Sequence, residues 1–130
     1  MIKHLAAIVA ASSLLAACDA GCDIKTISDV SSPDKTMKAI LFERDCGATT
    51  DFTSQVSILS ATQRASGSKG NTFIADTNHG STKNTTWGGP LVKLEWTGPR
   101  RLKVHYDSRA RLFLKEKNVA GVNISYRPDI

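Results

Sequence analysis

The most constraining feature of the chain is a strict two-residue alternation between Leu91 and Asp107. In Leu91–Trp96, Val92, Leu94 and Trp96 share one face, while Lys93 and Glu95 take the other. After Gly98-Pro99-Arg100, the residues Leu102, Val104 and Tyr106 alternate with Arg101, Lys103 and His105. Successive side chains of a strand point to opposite faces, so this spacing builds one dry face and one wet face. Two such runs joined by a Gly-Pro turn predict an antiparallel hairpin, and its dry face needs a second layer to cover it.

The rest of the chain after Cys22 reads in the same way. Strands are predicted at Ile24–Val30, Lys35–Arg44, Asp51–Ser60 and Asn71–Asp76. Ser32-Pro33-Asp34-Lys35 supplies a turn, with proline suited to its second position. Lys35–Arg44 (KTMKAILFER) is the most apolar of these runs and is predicted to be central. Thr62–Gly70 is a Gly/Ser-rich loop. Thr77–Pro90 (TNHGSTKNTTWGGP) is a long irregular segment, and such segments in small domains are often functional or mobile. Ala110–Lys115 and Val122–Arg127 are predicted to continue the hairpin, joined through Lys117-Asn118 and Gly121. The alternative for Ala110–Asn118 is a helix, because ARLFLKEKN also suits helical spacing. The predicted class is all-β: a compact antiparallel sandwich or meander of six to seven strands after a cleaved N-terminal signal helix. With 130 residues, 41% hydrophobic and 22% charged, one folded domain is expected.

Residues 1–17 have a different character. Lys3 and His4 begin a short polar stretch, Leu5–Leu15 is apolar apart from Ser12 and Ser13, and Ala16-Ala17 precede Cys18. This is the layout of a secretion signal, too short in its apolar part to stay as a membrane span. Leu15-Ala16-Ala17-Cys18 resembles the bacterial lipobox. The resemblance implies a diacylglyceryl group on the Cys18 thiol, cleavage before Cys18 and acylation of the new amino terminus. Each buried CH2 contributes about 0.8 kcal/mol, so two or three acyl chains anchor a domain stably. The alternative is an ordinary signal cut near Ala17, with Cys18 a disulfide partner. Asp19 resembles the residue that retains lipoproteins in the inner membrane, facing the periplasm. The expected organisation is a signal peptide at 1–17, a lipid anchor and tether at 18–23 and one β domain at 24–130.

The chain has three cysteines. With Cys18 acylated, Cys22 and Cys46 remain, and an oxidising envelope favours their pairing over two free thiols. Metal binding by this pair is disfavoured, since neither has a nearby histidine or a C-x-x-C partner. Apart from the covalent lipid, no cofactor is implied.

The segment SPDKTMKAILFERDCGATTDFTSQVSIL, with NTFIADTNHG and RARLFLKEKNVAGVNISY further on, resembles a family of small uncharacterised bacterial envelope proteins. Its most distinctive part is the block Cys46-Gly47-Ala48-Thr49-Thr50, then Phe52, then Gln55-Val56-Ser57-Ile58-Leu59. The resemblance covers about Ser32 to Arg127. It implies location and fold, and no catalytic residue.

Among the polar residues, Asp76, His79 and Ser81 are close in the chain, and a hydrolase needs a nucleophile, a base and an orienting acid. No G-x-S-x-G, H-E-x-x-H or P-loop accompanies them. The expectation is therefore a non-enzyme, and a metal set of Asp76, His79 and His105 is the weaker alternative. Charge is uneven: after Pro90 there are nine Lys and Arg against four Asp and Glu. Arg100, Arg101, Lys103, Arg109 and Arg111 could share one basic face. Without aromatic residues interleaved for stacking, nucleic acid is not the expected partner. Anionic lipid headgroups or an envelope protein suit such a face better, at about 1 kcal/mol per basic residue near a lipid surface. The bland alternative is a solvated strand face. Trp87 is either an exposed binding contact or a plug for one end of the sandwich. The function expected is a membrane-anchored binding module using His79, Trp87 and the basic residues. The alternatives are an inhibitor or exclusion factor acting on muramidases or phage and, last, a hydrolase.

Overall fold

The computed structural model describes residues 22–47 and 51–130. Cys18, Asp19 and the whole expected signal peptide lie outside the described residues, as do Ala48, Thr49 and Thr50 of the distinctive block. The described chain forms nine strands and is all-β. They are β1 (Asp23–Ser31), β2 (Met37–Asp45), β3 (Thr53–Ser60), β4 (Phe73–Asp76), β5 (Val92–Gly98), β6 (Arg101–Tyr106), β7 (Arg111–Lys115), β8 (Asn118–Val119) and β9 (Val122–Arg127). One sheet has the order β1-β2-β3-β4-β7 and the other β5-β6-β9-β8.

The dry faces of the two sheets meet in one core. Met37, Ala39 and Leu41 of β2, Val56 and Ile58 of β3, and Phe73 and Ala75 of β4 pack against Val92, Leu102, Val104, Tyr106, Val122 and Ile124. The alternation between Leu91 and Tyr106 therefore places its apolar set inward, as the pattern requires. Phe73, Tyr106 and Tyr126 form an aromatic trio across the layers, with ring centroids 5.3 to 6.5 Å apart. Two polar aromatic tips tie the sheets at their edges. Trp96 Nε1 donates to the Val30 carbonyl at 2.9 Å, and the Tyr126 hydroxyl donates to the Glu116 and Thr72 carbonyls.

Two expectations are corrected. Nine strands replace six or seven: all eight segments named from the sequence form strands, and Asn118–Val119, read as a connector, adds the ninth by pairing with β9. The strand expected at Ala110–Lys115 forms, in place of the helical alternative for Ala110–Asn118. The helical spacing gives way because Arg111–Lys115 supplies the edge that β4 lacks. β7 and β9 do not form a hairpin: β7 crosses to the first sheet, and β9 inserts beside β6 in parallel register, with Leu102 opposite Ile124. That parallel pair is an exception in an otherwise antiparallel sandwich.

The two ends of the sandwich differ. At one end Cys22 and Cys46 form a disulfide with a Cα–Cα distance of 4.0 Å, just beyond the Asp23–Asp45 rung of the first hairpin. Ile24 faces Arg44 on the next rung, and Asp76 faces Thr53 and Arg111 at the same level of the sheet. At the other end lie the Ser32–Lys35 turn, where Lys35 donates to the Ser32 carbonyl, and the Gly98–Arg101 turn. Hydrogen bonds from Ser32 and Thr36 hold the Asp34 carboxyl below its usual range, and Arg100 of the far turn adds a smaller pull in the same direction. From Ile24 to Val30 the first strand climbs about 20 Å at roughly 3.4 Å per residue.

Candidate functional site

The long loop 77–90 sits at the disulfide end and is pinned rather than loose. Asn78 and His79 adopt left-handed backbone angles of 50° and 58°, and the following Gly80 is at 81°. The Asp76 carboxylate accepts the Asn78 N–H at 2.9 Å, which starts the turn. Further on, Lys83 N donates to Asp107 Oδ2 at 2.9 Å and the Asn78 amide donates to the Arg109 carbonyl. Trp87 is half-buried, and its Nε1 donates to Ser54 Oγ at 2.9 Å. Ser54 Oγ in turn donates to the Pro90 carbonyl. Gly89 has no room for a side chain, since a Cβ would come within 2.6 Å of the Thr53 carbonyl. Trp87 therefore plugs the end of the sandwich.

Two buried carboxylates organise this end, and two of the five basic candidates serve them. Asp107 is fully buried and accepts from Lys83 N, Arg109 N, Arg109 Nε and Arg109 Nη2, all between 2.9 and 3.1 Å. The Arg109 hydrogen bonds hold its carboxyl down at about 2. Asp76, also buried, takes the Arg111 guanidinium through Nε and Nη2. Asp51 is 3.7 Å from the same guanidinium, and His79 is 3.5 Å from its Nη1. His79 is exposed, 3.9 Å from Asp51. Ser81 Oγ donates to the Asn78 carbonyl rather than to His79. With Asp76 committed to Arg111, the three residues do not assemble a nucleophile, base and acid.

The remaining basic candidates lie elsewhere. Arg101 and Lys103 point outward from the second sheet, with His105 on the same strand face. Lys103 lies 4.0 Å from Glu95. His105 is held between two carboxylates, Nδ1 at 3.0 Å from Asp129 and Nε2 at 3.5 Å from Glu95. Its hydrogen bond keeps the Asp129 carboxyl below the usual carboxylate range. Arg100 sits in the far turn. The five basic residues therefore do not form one face: Arg100, Arg101 and Lys103 belong to the second sheet and its turn, while Arg109 and Arg111 neutralise buried acids at the disulfide end. His79 lies in the loop after β4 of the first sheet and His105 on β6 of the second, and among the described residues no group of three or more His, Cys, Asp or Glu is arranged to hold a metal ion.

Two features escape the sequence reading. Ile40 and Phe42 are buried on the outer side of the first sheet, because the 61–71 loop folds back over them. Asn71 holds that loop like a strand, accepting Ile58 N and donating to the Ile58 carbonyl at 2.9 Å each. A cavity of about 210 Å³ remains beneath it, lined by Ile24, Ile40, Phe42 and Leu59 among others. The second feature is a set of exposed large apolar side chains, Ile24 at 38%, Phe52 at 50% and Phe113 at 59%. Period two marks Ile24 as a strand residue, but local spacing does not say which end it occupies. No protein-family model, curated protein or solved structure matches the chain.

Proposed function

We propose that the chain is a bacterial envelope lipoprotein, anchored through an acylated Cys18, that acts as a non-enzymatic binding module. The observation that carries this reading is the Cys22–Cys46 disulfide. It uses two of the three cysteines and fixes the base of the first strand four residues after the lipobox-like cysteine. A tether from Cys18 to Cys22 spans at most about 14 Å, which keeps the disulfide end close to the bilayer. The Gly98–Arg101 turn is at the opposite end and projects away from it. Arg100 and Arg101 then suit a partner within the envelope better than the headgroups beside the anchor. Asp19 supports inner-membrane retention.

Intact-mass measurement on protein extracted from native membranes tests the anchor, with a chain beginning at Cys18 and carrying acyl mass as the expected result. A photo-crosslinker at Arg101 in intact cells tests the module. The expected result is a discrete adduct from Arg101 that is lost with Arg100→Ser. A chain starting elsewhere refutes the anchor, and an absence of any adduct from Arg101 refutes the far turn as the binding surface.

A further inference from the structure

We infer that the disulfide end is a membrane seat, in which Ile24, Phe52 and Phe113 dip into the interfacial layer of the bilayer and hold the domain upright. The inference rests on the anchored reading and adds an orientation to it. Among the described residues, the large apolar side chains left exposed are these three, and they gather at one end. Ile24 is one rung in from the Asp23–Asp45 pair that borders the disulfide. Phe52 immediately precedes Thr53, which faces Asp76. Phe113 lies two residues along β7 from Arg111, whose guanidinium sits 5.2 Å from the centre of its ring. Ile24 and Phe113 are on the two edge strands of a five-stranded sheet. Strands spaced about 4.8 Å apart put them close to 19 Å from each other, with Phe52 between. Contacts spread along the width of this sheet resist tilting within its plane in a way that one lipid-bearing residue cannot.

The occupant follows from what enters this end and from its charge. The segment leading into Cys22 begins, on the anchored reading, at the acylated Cys18 four residues earlier. The groups named at this end carry more acid than base. Arg109 and Arg111 are committed to Asp107 and Asp76, and Asp23, Asp45 and Asp51 add carboxylates. Such an end gains little from anionic headgroups, but its aromatic rings suit the level where headgroups meet acyl chains. The seat should therefore form on neutral lipid.

The chain contains two tryptophans, one placed near each end. Trp87 is joined to Ser54 at the disulfide end, and Trp96 to Val30 toward the far end. Full-length protein extracted from native membranes, its mass determined first, is reconstituted into neutral phosphatidylcholine vesicles brominated near the top of the acyl chains. Trp96→Phe leaves Trp87 as the reporter, and Trp87→Phe leaves Trp96. The expected result is Trp87 emission about twofold lower than in unbrominated vesicles, with Trp96 emission unchanged, because interfacial rings settle at headgroup level. Phe52→Ser with Phe113→Ser, both at exposed positions, should restore Trp87 emission while the protein stays with the vesicles. Unquenched Trp87 in a sample carrying the acyl mass overturns the seat and leaves the anchor standing. A sample without acyl mass overturns the anchored reading and the seat with it. Equal quenching of both tryptophans shows a domain lying flat and overturns the upright orientation.

Discussion

Replacing Asp107 with Asn should cost more than any other single polar substitution in the domain. The side chain is fully buried, and its two oxygens accept four hydrogen bonds. Its carboxyl sits at about 2 rather than 3.8. At about 1.4 kcal/mol per pH unit, the ionised form contributes about 2.5 kcal/mol at neutral pH. That agrees with the roughly 3 kcal/mol expected when one partner of a buried ion pair is removed, at the low end because half-exposed Arg109 keeps some water. The folded value is below the unfolded one. The stabilisation is therefore complete above about pH 4 and fades as pH falls from there toward 2. Urea unfolding of wild type and Asp107→Asn, followed by tryptophan emission, gives the test. The midpoint gap at neutral pH should be about 1.5–2 M for an m-value near 1.5 kcal/mol/M. The gap should shrink steadily below pH 4. A cost under about 0.5 kcal/mol at neutral pH, or a gap that persists unchanged at pH 2.5, would refute the reasoning.

Other predictions follow from single contacts. Cys22→Ser with Cys46→Ser should lower unfolding free energy by about 3.5 kcal/mol on the chain-entropy account, read from denaturation of oxidised wild type beside the variant. Gly89→Ala should destabilise by about 2 kcal/mol or more, because the added methyl meets the Thr53 backbone at 2.6 Å, and thermal melting will show it. Lys35→Gly should raise stability by about 1 kcal/mol, since Lys35 holds a left-handed angle of 60° in the first hairpin turn. A lower melting temperature for Lys35→Gly would count against that account.

Much of the fold was legible because alternation is a local signal. The β5–β6 hairpin and the span of β9 were readable from residues two apart, and Pro33 marked the turn between β1 and β2. Partner choice was not readable in the same way. Nothing in ARLFLKEK states that Arg111 will face Asp76 on the neighbouring strand of the first sheet, and that long-range pairing decided strand over helix. The candidate site suffered from the same blindness. Arg109 and Arg111 look like members of a basic run with Arg100 and Arg101, because sequence shows charge but not the buried carboxylate each one answers. Ser54, unremarkable in the chain, turned out to be the acceptor for Trp87.

The insertion of β9 between β6 and β8 carries a consequence for biogenesis. Arg101 cannot find Asn123 until β9 has been made, so the second sheet has no complete form while synthesis is short of that strand. Pairing across such separations is slow, on the millisecond-to-second scale. A nascent chain is thus kept from completing this sheet by its own topology, and a product truncated before Val122 would leave the β5–β6 ribbon with an open flank, ready for proteolysis or for pairing with another unfinished copy.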